Sequence, residues 1–100
     1  MALQRQVGLV EDWLGSYDPG SRRVLRSIVR RFLLYVKAPA AELVECQKRA
    51  FGEDAYKVLK LVQRFVAQLP TRRNHKRLVN SSLNQLFAYH HAPLPRDRSF

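Results

Sequence analysis

Apolar residues between Ser21 and Lys37 recur at the spacing of an α-helix. They occupy one arc of about 140° when residues are placed at roughly 100° intervals. The apolar residues on this arc are Val24, Leu25, Ile28, Val29, Phe32, Tyr35 and Val36. A stripe of this width has to be buried against other elements. The pattern predicts a long amphipathic helix that begins at Ser21 as its N-cap, directly after Asp18-Pro19-Gly20.

Four further stretches have the same periodicity, and glycine and proline residues separate them. The predicted helices run from about Leu3 to Leu14, from Ala40 to Phe51, from Glu53 or Asp54 to Leu69, and from Asn74, as N-cap, to His91. In the third helix we expect Leu43, Val44 and Cys46 to face the core, and Gly52 to end the helix. The expected fold is an all-α bundle of four main helices plus an N-terminal helix.

The length of the chain, 100 residues, is that of one small domain. Such a chain buries roughly 60 to 70% of its unfolded surface, which allows a modest core without a deep substrate cavity. We therefore expect neither autonomous catalysis nor a cofactor. The longest apolar run, residues 32–36, is too short to cross a bilayer, and no signal peptide is recognisable, so a cytoplasmic protein is expected.

Positive charge is concentrated in two segments that contain no acidic residue. The whole chain has 18 Lys and Arg against 8 Asp and Glu, a formal net charge of +10. Residues 19–41 and 55–96 hold six and eight of these cations. Because solvated helices normally mix charges of both signs, this separation indicates an acidic partner. Charge alone attracts nucleic acid and anionic membranes alike.

The second predicted helix has a basic stripe beside its apolar arc. Four arginines form this stripe: Arg22, Arg23, Arg26 and Arg30. Guanidinium groups stacked over two turns can follow a phosphate backbone, and we expect these arginines to position DNA. Arg31 points away from the stripe. The alternative is a solvated face without a ligand.

The second basic surface lies at the start of the last predicted helix, where cations are followed by short polar side chains. The candidate DNA-binding residues here are Arg72, Arg73, His75, Lys76, Arg77, Asn80, Ser81 and Asn84. Side chains such as asparagine can hydrogen-bond base edges in a major groove. We expect Arg77, Asn80 and Asn84 to contact bases. The alternative is that the polar residues are neutral surface positions.

Other polar residues are better explained by structure than by a site. Lys57, Lys60 and Arg64 share one face of the fourth helix and are expected to be solvated. His90 falls on the apolar arc of the last helix, so it is expected in or near the core. Cys46 is the single cysteine, which leaves no internal disulfide and no paired-cysteine metal site, and no metal site is predicted.

The order of these elements resembles the N-terminal, core-binding domain of tyrosine recombinases, the phage integrase family. The resemblance covers roughly residues 5 to 98. It consists of the basic helix capped by Ser21 with Phe32, the Pro39–Leu43 helix start, the helix end Phe65–Leu69, and the basic turn into Leu83-Asn84-Gln85-Leu86-Phe87. It implies a SAM-like fold over residues 1–91 and an extended linker, residues 92–100, toward a catalytic domain.

The resemblance also implies a function, which is duplex DNA binding in site-specific recombination or DNA integration. In the family, two helices of this domain approach the major groove, and they correspond to the second and fifth helices here. Some members contact a neighbouring protomer through the first helix, a role open to Trp13, although core packing is the simpler explanation. A homo-oligomer on DNA and the catalytic domain of the same chain are implied partners.

The family cuts DNA with residues of its second domain, including an His-x-x-Arg motif. That motif is missing here, since the residues three positions after His75, His90 and His91 are Leu78, Pro93 and Leu94. The chain is therefore expected to bind DNA without cutting it. Two other classes remain open: a helical interaction module that docks an acidic protein, and an RNA-binding helical domain. Membrane-surface binding is less favoured, because each basic face adjoins an apolar stripe that the core requires.

Overall fold

The computed structural model describes residues 2–95, with side chains from residue 8 onward. This part of the chain contains five α-helices and one short 3-10 helix, and no strand. The α-helices are α1 (Ala2–Leu14), α2 (Pro19–Val36), α3 (Ala40–Arg49), α4 (Lys57–Gln68) and α5 (Arg73–Tyr89), and the 3-10 helix is Gly52–Tyr56. The predicted all-α bundle is confirmed.

Helix α2 begins three residues earlier than the apolar pattern indicates. Its N-cap is Asp18, not Ser21: one Asp18 carboxylate oxygen accepts from the Ser21 backbone N–H at 3.1 Å and the other from the Ser21 hydroxyl at 2.8 Å. Pro19 suits the first helical position, where no N–H is needed. The Ser21 hydroxyl hydrogen bond lowers the pKa of the Asp18 carboxyl. The predicted Ser21 cap is wrong, because Ser21 lies inside α2 and donates both hydrogen bonds to the Asp18 carboxylate.

The segment between α3 and α4 differs from the prediction. Phe51 is extended and Gly52 has a φ of +62°, a left-handed conformation that glycine adopts without steric cost. The chain therefore leaves α3 at Arg49 and makes a 3-10 turn before α4 begins at Lys57, so α4 starts later than predicted.

The inward-facing residue of α3 is also different from the predicted one. Cys46 is exposed, whereas its neighbour Gln47 is buried, so the expectation for Cys46 is wrong. The Gln47 amide nitrogen donates to the Ala55 carbonyl at 3.2 Å and to the Pro93 carbonyl at 3.3 Å. These hydrogen bonds satisfy the amide nitrogen, whereas the Gln47 side-chain oxygen is buried with no hydrogen-bond partner among the described residues.

Helix α5 runs from Arg73 to Tyr89 with Arg72 as its N-cap, and no side-chain hydrogen bond caps it. The predicted Asn74 cap is wrong, since Asn74 lies inside the first turn. At the other end His90 is half-buried, as predicted, and its Nε2 lies 2.6 Å from the Leu9 carbonyl oxygen of α1.

The core draws on all five helices. Trp13, Phe32, Val62, Leu83 and Phe87 are each at most 1% exposed. Helix α4 packs against α2, α3 and α5, and α1 packs against those same three helices. The burial of Trp13 confirms its packing role.

Residues 92–95 are non-helical, as predicted, yet they stay on the domain. Ala92 is buried and Leu94 packs against the core, while Pro93 accepts the hydrogen bond from Gln47. Residues 96–100 of the predicted linker lie outside the described part of the chain.

Candidate nucleic-acid interface

The predicted arginine stripe of α2 is divided by its contacts with α1. Arg22 is half-buried, and its Nε donates to the carbonyl oxygens of Leu14 at 3.0 Å and Tyr17 at 2.8 Å. A guanidinium directed at these carbonyls holds the α1–α2 loop. Arg22 therefore has a structural role that its position in the sequence did not indicate.

Arg26 forms an ion pair with an acid from outside its own acid-free segment. Its Nε and Nη2 donate to the two Glu11 carboxylate oxygens, at 3.1 and 2.9 Å. The hydrogen bond from Arg26 lowers the pKa of the Glu11 carboxyl, and the same bond raises the pKa of Arg26. The prediction of an arginine stripe without an acidic neighbour is wrong at this position, because helix packing brings Glu11 to it.

The other α2 arginines are exposed. Within residues 8–95, no carboxylate lies within 4 Å of the charged nitrogens of Arg23, Arg30 or Arg31. Arg31, which points away from the predicted basic stripe, lines a groove together with a residue of α5. The periodicity of α2 alone could not show that α5 lies beside it.

A groove separates α2 from the beginning of α5 and has a volume of about 280 Å³. Its polar lining consists of Arg23, Ser27 and Arg31 from α2 and His75 from α5. Its apolar floor comes from α2, α4 and α5 and comprises Val24, Ile28, Phe65, Leu69 and Val79. Its lining contains cations and no carboxylate, and we call it the phosphate groove.

The basic residues at the start of α5 differ in exposure. Arg72, Arg73, His75 and Arg77 are exposed, and the three arginines have no carboxylate within 4 Å among the described side chains. Lys76 is half-buried, and its Nζ donates to the Ala67 carbonyl at 3.1 Å. A cation at the last turn of a helix stabilises its free carbonyls, so Lys76 serves the end of α4.

The two asparagines expected to contact bases are half-buried. The Asn84 amide nitrogen donates to the Asn80 carbonyl at 2.7 Å, within the same helix. The Asn80 side-chain oxygen is buried and has no hydrogen-bond partner among the described residues. By contrast, Ser81 is exposed, on the same face as Arg73 and Arg77 at intervals of four residues. The accessible polar edge of α5 is therefore Arg73, Arg77 and Ser81.

The basic residues of α4 are exposed to solvent, as predicted. Lys57, Lys60 and Arg64 are exposed on α4, and the Lys57 Nζ lies 3.4 Å from an Asp54 carboxylate oxygen. Across the described residues, no group of three or more His, Cys, Asp or Glu is placed to hold a metal ion. Nor is any helix of this part of the chain long and apolar enough to cross a membrane.

No family model, curated protein or solved structure matches the chain.

Proposed function

We propose that this chain binds duplex DNA as the core-binding domain of a tyrosine recombinase, in site-specific recombination or DNA integration. The observation that supports this most is the pair of exposed cationic surfaces on α2 and α5. Their members without a nearby carboxylate among the described side chains are Arg23, Arg30, Arg31, Arg72, Arg73 and Arg77. Helices α2 and α5 pack against each other, and Arg23 and Arg31 of α2 line one groove with His75 of α5.

Phosphate contacts supply most of the affinity in this proposal. Neutralising each phosphate releases condensed counterions, which favours binding regardless of sequence. Exposed arginines suit this role because the planar guanidinium can donate two parallel hydrogen bonds to a phosphate. Arg22 and Arg26 contribute indirectly, since their contacts with the α1–α2 loop and Glu11 orient α2.

Sequence readout is assigned to the exposed edge of α5. Arg77 can donate two hydrogen bonds to a guanine, and Ser81 can contact a neighbouring base. Base contact by Asn84 requires its amide to leave the Asn80 carbonyl. Asn80 and Asn84 are thus weaker candidates than Arg77.

The proposal includes the cellular setting. The domain acts in the cytoplasm, needs no cofactor and does not cleave DNA by itself. Its partners are the catalytic domain of the same full-length chain and other copies assembled on DNA.

Binding to a labelled duplex of about 30 base pairs, measured by fluorescence anisotropy at roughly 50 to 300 mM salt, tests the proposal. Single-stranded DNA and duplex RNA serve as comparators. We expect a preference for duplex DNA and a log–log salt slope of about −4 to −8, because several phosphates are engaged.

A matched pair of double variants separates this interface from general charge. Arg23→Glu with Arg73→Glu should strongly weaken binding and reduce the salt slope by about two, one per lost phosphate contact. Lys60→Glu with Arg64→Glu changes the net charge equally on the solvated face of α4. Equal loss of affinity in both double variants would contradict the assignment of the interface to α2 and α5.

A second candidate function is a protein-interaction module. Val24 and Leu78 are 47% and 45% exposed and line another groove between α2 and α5, of about 500 Å³. Val24 also lines the phosphate groove with Arg23 and Arg31, and exposed apolar residues beside cations suit an acidic protein partner. Failure to bind any nucleic acid at about 50 mM salt would favour this candidate, and preference for structured RNA would favour an RNA-binding domain.

A further inference from the structure

The phosphate groove combines cations with an apolar floor. Arg23 and Arg31 approach it from α2 and His75 from α5. A DNA backbone is matched to such a surface, since its phosphates are anionic and its sugars present carbon atoms between them.

We propose that this groove seats one backbone phosphate of the bound DNA between Arg23, Arg31 and His75, and that the imidazole of His75 contacts the phosphate in its protonated form. The proposal rests on the proposed function and adds a dependence on pH that simple charge attraction does not contain.

The surroundings of His75 determine the sign of this dependence. Arg23 and Arg31 face the groove from α2, while α4 contributes Phe65 and Leu69, which do not titrate. Along the chain, His75 lies three residues after Arg72, the N-cap of α5, and next to Lys76. No carboxylate is among the residues that line the groove. An imidazolium attracts a phosphate more strongly than a neutral imidazole does, so DNA affinity should fall as pH rises.

The size of the effect follows from counterion release. Imidazole groups change charge between about pH 5 and 8, and only the charged form donates from both ring nitrogens. Each phosphate neutralised changes the salt slope by about 0.9, so one contact is worth about eightfold in affinity at roughly 0.1 M salt. We expect wild-type affinity to fall by up to that factor as pH rises across this range.

The test measures affinity for the same duplex between about pH 5.5 and 8 at constant ionic strength. His75→Gln should bind at every pH as the wild type does at high pH. His75→Lys, whose charge does not change in this range, should keep the tighter binding at high pH. His91→Asn is the matched control, because His91 is exposed with a φ of 61°, which asparagine tolerates.

Three results distinguish the inference from the proposed function. Loss of the pH dependence in His75→Gln, with its retention in His91→Asn, supports the groove as the phosphate seat. Tight duplex binding that is independent of pH, or whose pH dependence survives in His75→Gln, overturns this inference and leaves the proposed function standing. Absence of duplex binding at every pH overturns both.

Discussion

The Arg26 guanidinium and the Glu11 carboxylate form a two-point ion pair between α2 and α1, with both nitrogen–oxygen distances near 3 Å: 3.1 Å from Nε and 2.9 Å from Nη2. About half of each side chain remains exposed, 52% for Arg26 and 46% for Glu11. The pair therefore holds a cation at the edge of the proposed DNA interface without removing it from solvent.

Replacing Glu11 by glutamine should strengthen DNA binding, because it releases Arg26 toward a phosphate. One additional contact predicts an affinity gain of up to about eightfold at roughly 0.1 M salt and a salt slope steeper by about one. Stability should change little, since exposed ion pairs contribute little. Anisotropy measures the affinity. Asp12→Asn adds the same unit of charge without releasing an arginine, and an equal gain in that variant would contradict the prediction.

Asp18, and to a smaller extent Glu11, should make the domain less stable in acid. Both carboxyl groups have a lowered pKa, from ordinary values of 3.8 and 4.5. Their stabilising contribution is complete above those values and is lost as pH falls through the lowered ones. Thermal unfolding followed by circular dichroism from neutral pH to about pH 3 should show a declining Tm below about pH 4.5.

Asp18→Asn separates the cap from the other carboxyl groups. Asparagine accepts the same hydrogen bond at every pH, so this variant should retain most of the neutral-pH Tm and lose part of the acid dependence. Asp18→Ala should lower Tm at neutral pH, because α2 loses its N-cap. If Asp18→Asn and the wild type decline identically in acid, the Asp18 cap does not contribute to the acid dependence.

Arg22 should matter for stability more than its neighbours on α2. Arg22→Ala leaves the Leu14 and Tyr17 carbonyls without their guanidinium donor, at a cost of about 1–3 kcal/mol. Arg30→Ala, on the exposed side of the same helix, should leave stability nearly unchanged. Urea unfolding of the two variants compares them directly. A larger loss for Arg30→Ala would show that the loop contact is not the stabilising one.

Arg77 and Asn84 should differ in their effects on sequence selectivity. Arg77→Ala should lower the discrimination between preferred and altered duplexes by about 1–3 kcal/mol, the value of one bidentate base contact. Asn84→Ala should have little effect, because its amide is already bound to the Asn80 carbonyl. Competition binding against a set of single-base variants measures both. If Asn84→Ala relaxes selectivity and Arg77→Ala does not, the base contact belongs to Asn84 and the prediction for Arg77 is wrong.

Periodicity predicted the helices well because the requirement to bury an apolar stripe is expressed within each segment. It misplaced boundaries where a local hydrogen bond decides them, as at Asp18, or where backbone geometry does, as at Gly52. Cys46 was predicted to face the core because cysteine is hydrophobic. Gln47 is buried instead, because the Ala55 and Pro93 carbonyls accept hydrogen bonds from its amide.

The candidate site was predicted less completely, since a basic residue shows its charge in the sequence but not its partner. Arg26 pairs with Glu11, which lies 15 positions away in the sequence, and Arg22 donates to the Tyr17 carbonyl of the α1–α2 loop. Arg31 lines the phosphate groove because α5 lies beside α2. Such relationships depend on how helices pack, which a single helix face does not specify.

The hydrogen bonds between the two ends of the domain have a consequence for the order of folding. The Tyr17 hydroxyl bonds to the Gln85 side chain, and His90 meets the Leu9 carbonyl, across 68 and 81 positions of sequence. Closing loops of this length costs entropy before the contact contributes anything in return. We expect α2, α3 and α4 to associate early, and the docking of α1 with α5 to be the late, cooperative step that completes the fold.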